Sequence, residues 1–143
     1  MSTDAVIVRI GSERFPARLR RDLAPESCEC LLRLLPYSGS VIHVRWSGEA
    51  MWAPLGDKFP PGLILAEESP DWQPQPGEIL LYAGELSEPE LLIPYGISRF
   101  ACNAGPISGN PVLKIEEGLA RLAELGPEVL WKGAMELRIE VSP

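Results

Sequence analysis

Two apolar runs flank a Ser-Gly pair in residues 41–55, which read VIHVRWSGEAMWAPL. Ser-Gly between such runs is typical of a two-residue β-hairpin turn. A turn at Ser47-Gly48 places His43 directly opposite Trp52 on the neighbouring strand. The same register predicts one core-facing side of the hairpin, made of Ile42, Val44, Trp46 and Met51.

The other side of this hairpin is the candidate ligand-binding surface, because it carries His43, Arg45 and Trp52. A guanidinium binds carboxylates, an indole offers a stacking surface, and an imidazole donates or accepts a hydrogen bond. We expect Tyr95 and Arg99 to form a second wall of the same cleft. The alternative is an exposed barrel face on which Arg45 lies over the Trp52 ring.

Alternating or short apolar runs predict further strands on both sides of the hairpin. They are expected at residues 5–10, 13–20, 78–83, 90–95, 98–103 and 137–141. The first two form an opening hairpin. Pro16 lies within the second of them and cannot donate to a ladder, so that strand is expected at a sheet edge.

Two helices are predicted from apolar spacing and from proline and glycine at their ends. Pro25 suits a first helical position, and Pro36 ends a stripe made by Cys28, Leu31, Leu32 and Leu35. The second helix is expected over residues 110–126, with Asn110 as its cap and Pro127 preventing its continuation.

The chain has 143 residues, which predicts a single domain over residues 1–143. Its 15 prolines and 13 glycines make up about a fifth of the chain, against an average of about 12%. Much of this surplus lies in residues 56–77, which we interpret as a long ordered excursion. The element order predicts a mainly β fold, a closed barrel of about eight strands capped by two short α-helices.

Several motifs resemble a bacterial family of unknown function with a cyclophilin-like fold. They are HVRWSGEA at residues 43–50, LIPYG at 92–96, Gly109-Asn110, and the stretch from EGL to LG at 117–126. The resemblance implies an eight-stranded barrel with two capping helices and carries no established biochemical role. The Phe-His-Arg, Phe-Met-x-Gln and Gly-Ser-Gln-Phe-Phe segments of true cyclophilins are absent from the sequence.

The formal net charge is −7, which argues against nucleic acid and anionic membranes as partners. The sequence has no apolar run of about 18 residues, and its start lacks the layout of a signal peptide. We therefore expect a cytoplasmic protein. Three cysteines are an odd number, which suits reduced thiols better than disulfides.

No metal site, cofactor or catalytic residue is predicted. His43 is the only histidine, which excludes a zinc site built from several histidines. Cys28 and Cys30 point about 200° apart on a helix, and Cys28 is expected to be a packed thiol. A nucleophile–base pair of Cys102 and His43 is conceivable, but a small core cysteine is favoured. The glutamates at 85, 88 and 90 are expected to be solvated.

The function favoured by these features is a non-enzymatic module that binds a small ligand or a peptide. One alternative is an enzyme, either a weak peptidyl-prolyl isomerase or a small-molecule-converting activity. Another is a structural, oligomer-forming protein in which residues 56–77 contact a second copy of the chain.

Overall fold

The computed structural model describes residues 4–43 and 45–143. The described residues form ten strands and two helices. The strands are β1 Ala5–Ile10, β2 Glu13–Leu19, β3 Tyr37–His43, β4 Gly48–Pro54, β5 Glu78–Tyr82, β6 Glu90–Ser98, β7 Ala101–Cys102, β8 Gly105–Pro106, β9 Asn110–Ile115 and β10 Met135–Val141. The helices are α1 Pro25–Leu34 and α2 Leu119–Lys132. Neither helix is long and apolar enough to cross a membrane, within this described part of the chain.

Eight strands close into an antiparallel barrel in the order β1-β10-β3-β4-β6-β5-β9-β2. Alternate residues of each strand point inward, as the period of two requires; in β1 these are Val6, Val8 and Ile10, all at most 1% exposed. Leu31 of α1 and Leu122 of α2 join the same interior cluster. The predicted mainly β fold, with a closed eight-stranded barrel and two helices, is confirmed.

The opening hairpin is confirmed, but β2 is not an edge strand. It pairs with β1 on one side and with β9 on the other. In β2, only Ala17, Arg18 and Leu19 pair with β9, so the ladder between these two strands begins one residue after Pro16. The Pro16 carbonyl still accepts from the Glu116 amide at 2.9 Å. The missing N–H of Pro16 therefore interrupts no pairing with β9.

The second helix was wrongly placed by the sequence. Residues 110–115 form β9, and α2 starts at Leu119 and runs through Gly126 and Pro127 to Lys132. A short run that is buried on both faces has the same apolar content as a buried helix, so periodicity does not separate them. Asn110 is a buried strand residue rather than a helix cap.

The register of the central hairpin differs by one residue from the prediction. A 3₁₀ turn at Arg45–Ser47 joins β3 to β4, and His43 pairs with Met51 instead of Trp52. A slip of one residue exchanges the two faces of a strand. Met51 is buried as predicted, but Trp46 is 59% exposed, so its placement in the core was wrong. Val44, also predicted to face the core, lies outside the described residues.

Residues 56–77 run over the barrel surface and are tied to it by backbone hydrogen bonds. The Leu65 amide donates to the Ala83 carbonyl at 2.9 Å. Asp71 and Gly109 exchange two such bonds, both at 2.9 Å. These bonds fix the excursion beside β5 and the start of β9.

The excursion also supplies the cap of α1. The N-cap position, Ala24, has no side chain that accepts a hydrogen bond. Instead, the Glu68 carboxylate accepts from the backbone amides of Glu26 at 3.0 Å and Ser27 at 2.8 Å, and from the Ser27 hydroxyl at 2.6 Å. Burial alone would raise the pKa of Glu68, but these hydrogen bonds outweigh it and lower that pKa. A carboxylate is also favoured at a helix N-terminus by the helix dipole.

Candidate functional site

The five residues predicted to form one cleft are distributed over three places. His43, Arg45 and Tyr95 lie together at one end of β3 and β6. Trp52 lies apart from them, against Glu90 on the outside of the barrel. Arg99 lies over the Trp72 ring of the excursion, with its guanidinium carbon 5.9 Å from the ring centroid. The structure therefore does not bring the five residues into one cleft, and the shifted hairpin register accounts for the separation of Trp52 from His43.

His43 and Tyr95 form the centre of the first place. The His43 Nε2 atom lies 2.7 Å from the Tyr95 hydroxyl, and the two rings meet edge to face at 66°. Burial lowers the pKa of His43 and raises that of Tyr95, so the pair is neutral near pH 7. The other ring nitrogen, Nδ1 of His43, is buried and has no hydrogen-bond partner among the described residues.

Two opposite charges flank this pair. Arg45 further lowers the pKa of His43, whereas Glu49 opposes that shift. Glu49 is held in place by the Ile97 amide, which donates to its Oε1 atom at 2.9 Å. The arrangement is a neutral imidazole–phenol pair near one positive and one negative side chain. His43, Arg45 and Tyr95 line neither of the two cavities described below.

The second place is a small pocket around Glu90, here called the Glu90 pocket. Its volume is about 200 Å³, and its walls are Trp46, Ser47, Trp52, Ser87, Glu88, Glu90, Phe100, Ala101, Cys102 and Asn103. Glu90 is only 3% exposed, so the expectation that it is solvated was wrong. Its Oε2 atom accepts from the Ser87 hydroxyl at 3.3 Å, and the Trp52 side chain also hydrogen-bonds to the carboxyl.

Burial dominates the ionisation of Glu90. It raises the pKa of this carboxyl to about 7, while the hydrogen bonds from Trp52 and Ser87 oppose the shift. The neighbouring Glu88 raises the pKa further. Glu90 thus exchanges a proton near neutral pH, a property typical of functional carboxyl groups as well as of some structural ones.

Apart from these places there is a larger groove, here called the outer groove, with a volume of about 700 Å³. The excursion forms one side, residues 81–86 the floor and rim, and residues 106–108 the far side. Its lining residues are Ile64, Leu65, Glu67, Trp72, Leu81, Tyr82, Ala83, Gly84, Glu85, Leu86, Pro106, Ile107, Ser108 and Asn110. None of the five predicted ligand-binding residues lines it.

The groove lies beside a second hydrophobic cluster on the outer surface of the barrel. Leu80, Tyr82 and Leu92 point outward there and are covered by Phe100 and Ile107. The sequence carries a signal for this second core. Residues 90–95 read ELLIPY, and a strand that is apolar on both faces is covered on both faces.

The cysteines carry no metal site in this fold. All three are free, and Cys28 is buried and packed as predicted. Burial raises the pKa of the Cys28 thiol to about 11, which keeps it protonated. The described residues contain no group of three or more His, Cys, Asp or Glu side chains placed to hold a metal ion.

Comparisons with known proteins identify a family and similar solved structures. A family model described as "Protein of unknown function (DUF3830)" matches residues 6–141. No curated protein matches the chain. The structure of McbB in complex with tryptophan superposes with a TM-score of 0.71 at 22% identity, over 96% of this chain and 44% of the McbB chain. A hypothetical protein from Archaeoglobus fulgidus superposes with a TM-score of 0.56 at 11% identity, over 99% of this chain and 98% of its own.

Proposed function

Because the chain belongs to the DUF3830 family, whose function is unknown, we propose a function from geometry: it binds a small aromatic or aliphatic molecule in the outer groove. The observation that carries this proposal is the groove itself. Its volume of about 700 Å³ falls within the range of about 300–1,000 Å³ that small-molecule sites occupy. Its lining is mostly apolar, with a few polar groups, as in such sites.

Three of the nine exposed large apolar side chains of the described residues line the groove. Ile64 is 54% exposed, Trp72 44% and Leu86 65%. Clustered exposed apolar residues mark binding surfaces more often than scattered ones do. Because these three side chains face one cavity, a ligand entering the groove gains apolar contact on several sides.

The charges at the groove favour a neutral or cationic ligand. Glu67 and Glu85 line it, and none of its lining residues is a lysine or arginine. A carboxylate ligand would therefore meet two like charges in the lining. The Arg99 guanidinium lies over the Trp72 ring, 5.9 Å from its centroid, but Arg99 itself does not line the groove. This polarity is opposite to that of the anion-binding cleft expected from Arg45 and Arg99.

The superposition with McbB supports an aromatic occupant. McbB has been solved with tryptophan bound, and it shares the barrel at 22% identity. Since this chain spans 44% of the McbB chain, the likeness concerns the fold and not the activity of the whole protein. Ligand binding by the five residues predicted from the sequence stays a prediction; they are His43, Arg45, Trp52, Tyr95 and Arg99. A cyclophilin relationship and the enzymatic and oligomeric alternatives also stay predictions.

Three indole compounds of different charge test the groove. We expect tryptamine and indole to bind and indole-3-acetate to bind at least about tenfold more weakly, because of Glu67 and Glu85. Two-dimensional ¹H–¹⁵N NMR titration measures the affinities and maps the shifted amides to the groove. We expect Trp72→Ala to weaken binding about tenfold, since it removes a large apolar wall.

Trp131→Ala is the matched control, because Trp131 is 80% exposed on α2 and does not line the groove. It should leave the affinity for tryptamine unchanged. Equal binding of indole-3-acetate and tryptamine would contradict the proposed polarity. Amide shifts confined to residues outside the groove would contradict the proposed location.

A further inference from the structure

The Glu90 pocket is separate from the outer groove and holds a different chemistry. Glu90 begins β6 and lies directly opposite Tyr82 of β5. Of the residues that line the two cavities, none is shared between them. The two cavities are therefore distinct, although Tyr82, which lines the outer groove, lies beside Glu90.

The surroundings of Glu90 contain acceptors, aromatic rings and neutral donors, but no cation. Glu90 faces the Trp52 indole of β4 and lies opposite Tyr82 of β5. It also lies near Ser87 and Glu88 in the loop that precedes β6. From β7 and the residues that follow it, Cys102 and Asn103 line the pocket. No lysine, arginine or histidine is among the lining residues, and no described ion pair involves Glu90.

A buried carboxyl without a basic partner is costly to ionise, and proteins usually pair such a group. Here the Ser87 hydroxyl and the Trp52 side chain satisfy part of its hydrogen-bonding capacity. A carboxylate has about four lone-pair positions, so acceptor capacity remains for a ligand that donates N–H bonds. The pocket is open to such a ligand, since Trp46 in its wall is 59% exposed.

We propose that the Glu90 pocket binds the protonated amino group of a small organic amine, with Glu90 as the counter-ion and Trp46 and Trp52 as the aromatic walls. An ammonium group donates three hydrogen bonds and carries the charge that the carboxylate lacks. Indole rings attract cations through their negative faces. The volume of about 200 Å³ admits only a short alkyl or small cyclic amine, since drug-sized ligands occupy about 300 Å³ or more.

This binding depends on pH in a defined direction. The pKa of Glu90 is raised to about 7, so the free pocket is largely protonated at pH 6 and largely ionised at pH 8. Only the ionised form pairs with an ammonium group. Affinity should therefore rise about tenfold from pH 6 to pH 8, and binding at pH 6 should release a proton to solvent.

The experiment uses n-propylammonium as the probe, with n-propanol and propionate as neutral and anionic analogues of similar size. We expect saturable NMR shifts of the Trp46 and Trp52 indole N–H resonances with n-propylammonium only, with a rise in affinity of about tenfold between pH 6 and pH 8. Glu90→Gln should reduce the affinity at pH 8 at least tenfold and remove the pH dependence. The neutral amide resembles the protonated carboxyl, so this variant should keep the fold.

Glu117→Gln is the control for a general loss of negative charge, because Glu117 is exposed and does not line the pocket. It should change the affinity at pH 8 less than threefold. The proposal is overturned if n-propanol or propionate binds as well as n-propylammonium, or if no saturable binding occurs at pH 8. Binding that Glu90→Gln leaves intact would also overturn it. Trp72→Ala, a substitution at a residue that lines the outer groove and not the Glu90 pocket, should not affect any of these measurements.

Discussion

Asn110→Ala is expected to lower the free energy of unfolding by about 2–4 kcal/mol. Asn110 is 5% exposed and joins three parts of the chain. Its amide nitrogen donates to the Ser27 hydroxyl at 2.8 Å and to the Ala66 carbonyl at 2.9 Å. Its oxygen accepts from the Glu68 amide at 3.0 Å. Alanine would leave buried partners unsatisfied, and each costs about 1–3 kcal/mol.

Chemical denaturation followed by tryptophan fluorescence measures this loss. The matched control is Asn103→Ala, the same substitution at the other asparagine of the chain, which is exposed. We expect the control to change stability by less than about 0.5 kcal/mol. Hydrogen exchange should also become faster in residues 63–72 of the Asn110 variant, because the excursion loses its anchor. A loss below about 0.5 kcal/mol for Asn110→Ala would show that the network does not stabilise the fold.

Gly126→Ala is expected to lower the free energy of unfolding by about 1–3 kcal/mol, the usual cost of overpacking. In an ordinary helix the same change is stabilising by about 1 kcal/mol. Here a β-carbon on Gly126 would collide with three atoms of the Tyr95 ring. That ring has little freedom to move, because it is buried and its hydroxyl is bonded to His43 at 2.7 Å. A loss of stability on Gly126→Ala, instead of the gain expected in an ordinary helix, would therefore indicate close contact between α2 and Tyr95 of β6.

Removing the ring should reverse that sign. In a Tyr95→Ala background, the second substitution Gly126→Ala has room for its methyl group. We expect it to be neutral or stabilising there, so that the two substitutions couple by at least about 1 kcal/mol. Thermal and chemical unfolding of the four proteins in this cycle measure the coupling. Strict additivity would contradict the steric explanation.

Local patterns in the sequence were sufficient to predict most of the barrel. The alternation in residues 5–10 and 13–20, and the apolar stripe from Cys28, predict elements whose partners are near in sequence. The second helix failed because residues 110–115 are apolar on both faces. Gly126-Pro127 also resembles a helix end, whereas the glycine is there to admit the Tyr95 ring from a distant strand.

The candidate site was harder to predict, for a related physical reason. A shift of one residue in the pairing of β3 with β4 exchanges the side chains that share a face. The 3₁₀ turn at Arg45–Ser47, in place of the predicted two-residue turn, goes with that shift. In the sequence, Glu90 cannot be distinguished from the acidic residues that precede it. Only the folded chain brings Trp52 and Phe100 into the same pocket as Glu90. The outer groove is assembled from three separate segments, and no single stretch of sequence encodes it.

Closure of the barrel also constrains how this protein can self-associate. Each of the eight barrel strands pairs with a neighbour on both sides, so none exposes a free edge along its whole length. The strands outside the barrel, β7 and β8, are two residues long and offer little template. We therefore expect cross-β aggregation to require prior opening of the barrel. Under mild heating, the rate of fibril or aggregate formation should follow the rate of unfolding rather than protein concentration alone.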